Sequence, residues 1–163
     1  EISCSLVGSE MCIRDSPYVI ETSIGVDRMV LQVLSAGYQE EKLENGEERT
    51  VLSIPAPLAP VKAAVLPLVK KDGLPEIAHR IKNTLRYDYN IQYDEKDSIG
   101  KRYRRQDAIG TPLCITIDHQ SAEDGTVTVR DRDTMRQERV HIEAIPALVE
   151  SKAGMRALLD KLA

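Results

Sequence analysis

Lys101, Arg104 and Arg105 stand three and four residues apart, so a helix across them presents three cations on one face. Arg102 and Tyr103 complete the run, and the tyrosine adds an aromatic ring. Further along, Arg130-Asp131-Arg132-Asp133 alternates guanidinium with carboxylate where an apolar strand gives way to a turn. Clustered cations meet a polyanion; arginine forks donate to base edges and aspartate accepts from exocyclic amines, so the alternation can tell unpaired bases apart. A ring beside them can stack on a splayed base. Each group also has a plainer reading. The basic run can be a solvated helix face paired with Asp97 and Asp107, and the Arg–Asp corner a turn closed by its own pairs.

A second chemical arrangement lies upstream. Pro17 to Glu21 reads as a short strand, Gly25 as a turn, and Val26, Met29, Val30, Val33 and Leu34 recur at helical spacing. Backbone donors at such a turn, with Arg28 nearby, can hold phosphate, although most strand–glycine–helix turns are only structural. The histidines His79, His119 and His141 have no ligand spacing with a third donor, so no metal site is expected. No nucleophile, base and orienting group come together, and no complete catalytic set is expected in this chain.

The elements that must position these groups follow from periodicity. Thr50 to Ile54 reads as a short strand, after a charged stretch with a turn at Asn45-Gly46. Pro55, Pro57 and Pro60 break regular structure and place a domain boundary near residue 58. Val61 to Val69 is nearly all apolar, as a strand covered on both faces would be. Pro75 suits a first helical turn, followed by an apolar stripe of Ile77, Ile81 and Leu85. Ile91 to Tyr93 is a second strand, and Ser98 is placed to cap the basic helix. Leu113 to Ile117, Thr126 to Arg130 and Arg139 to Ile142 are three more strands, with a polar loop at Ser121 to Gly125. A last helix begins after Glu143, with Pro146 early and Gly154 interrupting it. The resulting fold class is α/β: a mixed five-stranded sheet flanked by three helices, preceded by a strand–helix piece of another domain.

Composition sets the outer limits. The net charge is −4, against nonspecific nucleic-acid binding, though charge placement outweighs charge sum. Phe and Trp are absent, so the core must be aliphatic. No apolar run reaches the roughly 20 residues of a membrane-spanning helix. Cys4, Cys12 and Cys114 lack metal spacing; Cys114 sits in an apolar strand as a small buried hydrophobe. Nothing in that usage implies an oxidising compartment, and cytoplasm is the default expectation. Glu1 to Ser16 fits neither its surroundings nor a targeting class; it resembles translated adaptor or vector sequence and is read as a non-native leader.

The runs "SIGKRYRRQDAIGTP" and "VTVRDRDTMRQERV" resemble the C-terminal anticodon-binding domain of class II aminoacyl-tRNA synthetases, specifically of homodimeric glycyl-tRNA synthetases. Upstream, "PYVIETSIGVDRM" is similar to the third signature motif of that family's catalytic domain. The resemblance covers Pro17 to the end of the chain. It implies that residues 17–57 are a catalytic-domain remnant and 58–163 an anticodon-binding domain. It implies further that Arg28, with Gly25, meets the phosphates of ATP, and that Glu21 and Ser23 lie at a glycine pocket. Asp27 stands where class II enzymes commonly carry glutamate. Lys101, Arg102, Tyr103, Arg104, Arg105, Arg130, Asp131, Arg132 and Asp133 would contact the tRNA anticodon, which for glycine carries cytosines at its middle and last positions. A parent enzyme of this family is a homodimer that charges glycine tRNA using ATP and Mg2+. The first two class signatures are missing here, so the chain alone is expected not to form glycyl-adenylate. A prolyl-, threonyl- or histidyl-tRNA synthetase, a non-catalytic accessory module on the same domain, and an unrelated α/β domain are the other readings.

Overall fold

The computed structural model describes residues 22–42 and 46–160. The expected strand at Pro17 to Glu21, the leader, Cys4, Cys12 and Glu21 lie outside them. Helix α1 (Val26–Gly37) leads into a hairpin of β1 (Tyr38–Lys42) and β2 (Glu48–Leu52), paired antiparallel. A short 3-10 turn at Ala56–Leu58 follows. The rest runs β3 (Ala63–Pro67), α2 (Leu74–Leu85), β4 (Ile91–Tyr93), α3 (Ile99–Ile109), β5 (Leu113–Ile117), α4 (His119–Asp124), β6 (Thr126–Asp131), β7 (Gln137–His141), α5 (Ile145–Ala153) and α6 (Met155–Leu159).

The five strands lie in the order β4-β3-β5-β6-β7. β3 is parallel to both β4 and β5, whereas β6 and β7 run antiparallel. Every residue of β3 and β5 is buried. That is why their sequences show no alternation: a central parallel strand is covered on both faces. One face carries Ala63, Val65, Ile115, Ile117, Val127 and Val129 against α2 and α5, which supply Leu74, Ala78, Ile81, Leu85, Ile145 and Val149. The other carries Ala64, Leu66 and Cys114 against Ile99 and Tyr103 of α3. The core is aliphatic, as the absence of Phe and Trp demands.

Three local readings are corrected. The polar stretch at Ser121 to Gly125 is helix α4 rather than a loop. Asp118 accepts from the Ser121 amide while the Ser121 hydroxyl accepts from the Asp118 amide, a capping box that starts a helix without an apolar stripe. β1 stands where the sequence carries only a charged stretch: its YQEEK side chains are almost all exposed and leave no apolar alternation. Ser98 stands at the N-cap of α3 but its side chain makes no capping bond.

By contacts the chain divides into residues 1–30 and 31–163, so the hairpin belongs to the same unit as the sheet. Gly110, in the left-handed region at φ +84°, ends α3. A Cβ there would lie 2.9 Å from the Leu52 carbonyl oxygen, which shows how tightly β2 runs past the end of α3.

Candidate nucleic-acid interface

Arg130 projects from β6 onto the α3 face, and there it meets Asp107. Its Nη1 and Nη2 donate to Oδ1 and Oδ2 of that carboxylate at 2.9 and 3.1 Å. Arg49 of β2 donates from Nε to Asp107 Oδ2 at 2.9 Å and from Nη1 to Glu41 at 2.9 Å. Asp107 and Arg49 are 1% and 3% exposed. A buried carboxylate shared by two arginine forks is a structural pair, held by charge-assisted bonds with water excluded. Burial opposes the Arg130 charge, yet the bonds to Asp107 outweigh it and raise its pKa above the ordinary arginine value.

Arg132 is also inside. It donates from Nη1 to the carbonyls of Leu52 and Gly110 and from Nη2 to that of Ile54, at 3.1, 2.9 and 2.9 Å. The same side chain pairs with Asp133 through Nε and Nη2. Asp131 closes the turn, accepting from the amides of Asp133 and Thr134 at 3.0 Å. The expectation that Arg130 and Arg132 present their forks to solvent is therefore corrected: both arginines face inward, onto Asp107 and onto the carbonyls of Leu52, Ile54 and Gly110. A sequence cannot show this, because the partners of Arg130 and Arg49 lie 23 and 58 residues away. Of the four, Asp133 is exposed. Burial raises the Asp133 carboxyl and the bonds from Arg132 lower it, with a net shift below the ordinary value.

Helix α3 divides in the same way. Arg102 is buried, donating to the carbonyls of Pro67 at 2.6 Å and Leu68 at 3.3 Å, where β3 ends. The Tyr103 hydroxyl hydrogen-bonds Thr116 Oγ1 at 2.6 Å, and the Arg130 guanidinium lies 4.8 Å from the ring centroid. One side of that ring is thus already covered, and Tyr103 serves the core of the α3 face. Burial is the main cause of its raised pKa. Arg105 is exposed but clamps the β4–α3 loop, donating to Asp94, Asp97 and the Lys96 carbonyl. Arg104 is exposed and paired with Glu47. Lys101 is exposed, and its charge is among the causes that lower the Asp97 carboxyl, after the hydrogen bond from Arg105.

What is left open is informative. By strand alternation and register, Thr126, Thr128 and Arg130 of β6 and Gln137, Arg139 and His141 of β7 share the face that α3 covers only over β3 and β5. Gln137, Arg139 and His141 are exposed, and the strand residues are polar rather than apolar. The Arg139 guanidinium is held by both Asp118 oxygens at 2.8 and 3.2 Å and by Thr126 Oγ1 at 3.0 Å. Those bonds are the leading cause that holds the Asp118 carboxyl below the usual range. The sheet order also reverses direction at β3, since β4 lies on one side of it and β5 on the other. Open α/β sheets bind ligands beyond the carboxyl ends of strands at such a point. Here that edge carries the exposed cations Lys70, Lys71, Lys96 and Lys101. Sequence reading passed over Lys71, Lys96 and Arg139 because only the strand order gathers their elements at one edge and one face.

Of the residues expected around a nucleotide upstream, Ser23, Gly25 and Arg28 are exposed, and the Gly25 carbonyl accepts from the Met29 amide in the first turn of α1. Glu21 lies outside the described residues.

Comparison with known proteins fits this architecture. The chain is 51% identical over 139 residues to a glycine–tRNA ligase of Borrelia hermsii, covering 85% of this chain and 31% of that protein. A glycine–tRNA ligase of Geobacillus kaustophilus is 55% identical over 139 residues, at 85% and 30% coverage. The chain thus spans about a third or less of the curated relatives it matches. Among solved structures, the RNA binding domain of threonyl-tRNA synthetase from Cryptosporidium parvum Iowa II superposes with a TM-score of 0.56 at 25% identity, over 62% of this chain and 26% of that one. Prolyl-tRNA synthetase from the same genus and species, with L-proline and AMP, gives 0.57 at 19% identity, over 69% and 30%, a likeness of fold alone. Residues 62–152, from just ahead of β3 nearly to the end of α5, match the family model described as the anticodon binding domain, and on that match this chain belongs to the anticodon-binding-domain family.

Proposed function

We propose that this chain is the anticodon-holding part of a glycine–tRNA ligase, an enzyme that charges tRNA with glycine at the expense of ATP. The identity to glycine–tRNA ligases over 85% of the chain is the observation that carries the choice of amino acid. The geometry supplies the rest of the reading. Lys101 and Arg104 hold the RNA backbone along α3, with Lys71 and Lys96 on the loops beside it and Arg105 fixing the β4–α3 loop beneath them. The polar face of β6 and β7, with Arg139 and Asp118, meets splayed bases, since cytosine offers an amine to a carboxylate and acceptors to a guanidinium. Arg102, Tyr103, Arg130 and Arg132 act behind this surface, fixing the helix and strands that carry it. Pairs such as Arg104–Glu47 open in exchange for phosphate, a change with little intrinsic cost because exposed ion pairs are weak.

Upstream, α1 exposes Val26, Met29, Val30, Leu31 and Leu34, an apolar surface that suits an element of a larger catalytic body. Arg28 and the first amides of α1 are the groups that would meet ATP phosphates, with Ser23 beside a glycine pocket. ATP there would supply the adenylyl group that the glycine carboxylate takes, with pyrophosphate as the leaving group. Mg2+ would accompany the phosphates of ATP. The test of enzymatic competence is glycine-dependent pyrophosphate exchange. The chain alone should show none, and the reading that it is only part of the enzyme fails if it turns over.

A further inference from the structure

We infer that Arg49, on the hairpin and outside the stretch that matches the anticodon-binding family, is the residue that positions α3 for RNA. The inference rests on the RNA-binding reading above and adds a residue to it. Helix α3 carries Lys101 and Arg104 outward and is fastened at both ends by buried arginines. Near its start, its own Arg102 reaches the carbonyls where β3 ends. Toward its end, Asp107 is the anchor, and Arg49 and Arg130 both donate to it.

Arg130 alone can hold Asp107 to the sheet. Arg49 does something different: its Nη2 also donates to the Arg132 carbonyl at 2.6 Å, so one side chain joins β2, α3 and the end of β6. The attachment is reciprocal. Arg132 sends its guanidinium back to the carbonyls of Leu52 and Ile54, and to that of Gly110 at the end of α3. The set Arg49, Arg130, Arg132, Glu41, Asp107 and Asp133 is electrically neutral, three cations against three carboxylates. Removing the Arg49 fork leaves the carboxylate of Glu41 and that of Asp107 short of donors and takes away the direct side-chain tie between β2 and α3, so that the last turns of α3 are held less firmly. The cations on α3 then no longer sit at a fixed angle to the sheet face that meets the bases.

The test uses the whole chain and a glycine tRNA anticodon stem-loop, with a second stem-loop whose anticodon is swapped. Arg49→Met keeps most of the side-chain volume without the fork, and Arg49→Lys keeps the charge with a single donor group. Arg49→Met should lower affinity for the cognate loop by about tenfold, the scale of one misplaced bidentate contact, and narrow the cognate-to-swapped ratio. Arg49→Lys should restore part of both. Amide exchange measured on the same samples should rise in the last turns of α3 and in β2 while β3 and β5 stay protected. Should Arg49→Met fail to fold, Arg49→Lys alone must still show reduced discrimination with β3 and β5 protected. Unaltered affinity and ratio in the folded variants would overturn the inference and leave the RNA reading standing. Failure of the unaltered chain to bind either loop would instead overturn that reading and, with it, the inference.

Discussion

Arg130 and Asp107 form a bidentate pair across the α3 face, with both side chains withdrawn from solvent and the Arg130 guanidinium resting over the Tyr103 ring. The pair ties the middle of the sheet to the helix above it, while Arg49 brings the hairpin to the same carboxylate. Arg49, Arg102, Arg130 and Arg132 are buried in this fold, so none of these four stands at the surface.

Asp107→Asn should therefore act on stability before it acts on RNA. Loss of the negative charge leaves the buried Arg130 guanidinium without a counter-ion and Arg49 with Glu41 alone, and breaking a buried pair costs about 3–5 kcal/mol. Urea unfolding should show that loss. A variant as stable as the parent would contradict the account of the network.

Lys101→Ala and Arg104→Ala should behave oppositely. Both side chains are exposed, so stability should stay within about 0.5 kcal/mol of the parent. RNA affinity should fall similarly for cognate and swapped anticodons, and the slope of log affinity against log salt should shrink by about 1 for each lost phosphate contact. An unchanged slope would remove these residues from the backbone contact.

Cys114 gives a chemical reading of the α3 face. Burial pushes its thiol up to about 12, well above an ordinary cysteine. Native protein treated with iodoacetamide near neutral pH should remain unmodified at Cys114, and labelling should appear only with denaturant. Peptide mass mapping decides it; fast native labelling would mean the face opens readily.

Acid should expose the carboxylate–guanidinium bonds. Hydrogen bonds from Arg139 are the first cause lowering the Asp118 pKa from its ordinary 3.8. A group with a depressed folded value stabilises the fold above its unfolded value, and that contribution is lost as pH falls through the folded one. Stability should thus decline below about pH 4. In Asp118→Asn this part of the decline should be missing; an unaltered acid profile would show that the Arg139 pair contributes nothing.

The strands and long helices were legible because burial writes itself into spacing: the unbroken apolar run around β3, the alternating residues of β6 and the stripe of α2 all appear where expected. Elements without an apolar signature were not. α4 depends on one capping box, and β1 on backbone pairing and a long-range tie from Glu41 to Arg49. The site was legible only in part. A charged residue reads as surface by habit, since arginine is rarely buried unless paired. The pairs that take Arg49 and Arg130 inside are long-range and have no local signal. Lys101 and Arg104 remain exposed where the helical spacing put them, whereas Arg102, between them, turns toward β3.

The central claim is that this chain holds the anticodon of glycine tRNA on the polar face beside α3. Binding of the intact chain to a glycine tRNA anticodon stem-loop, titrated against the same loop with its two cytosines replaced, tests it most directly. The account predicts saturable binding that weakens as salt rises, and a clear preference for the loop with cytosines. Equal affinity for the two loops, or no binding at low salt, would contradict it.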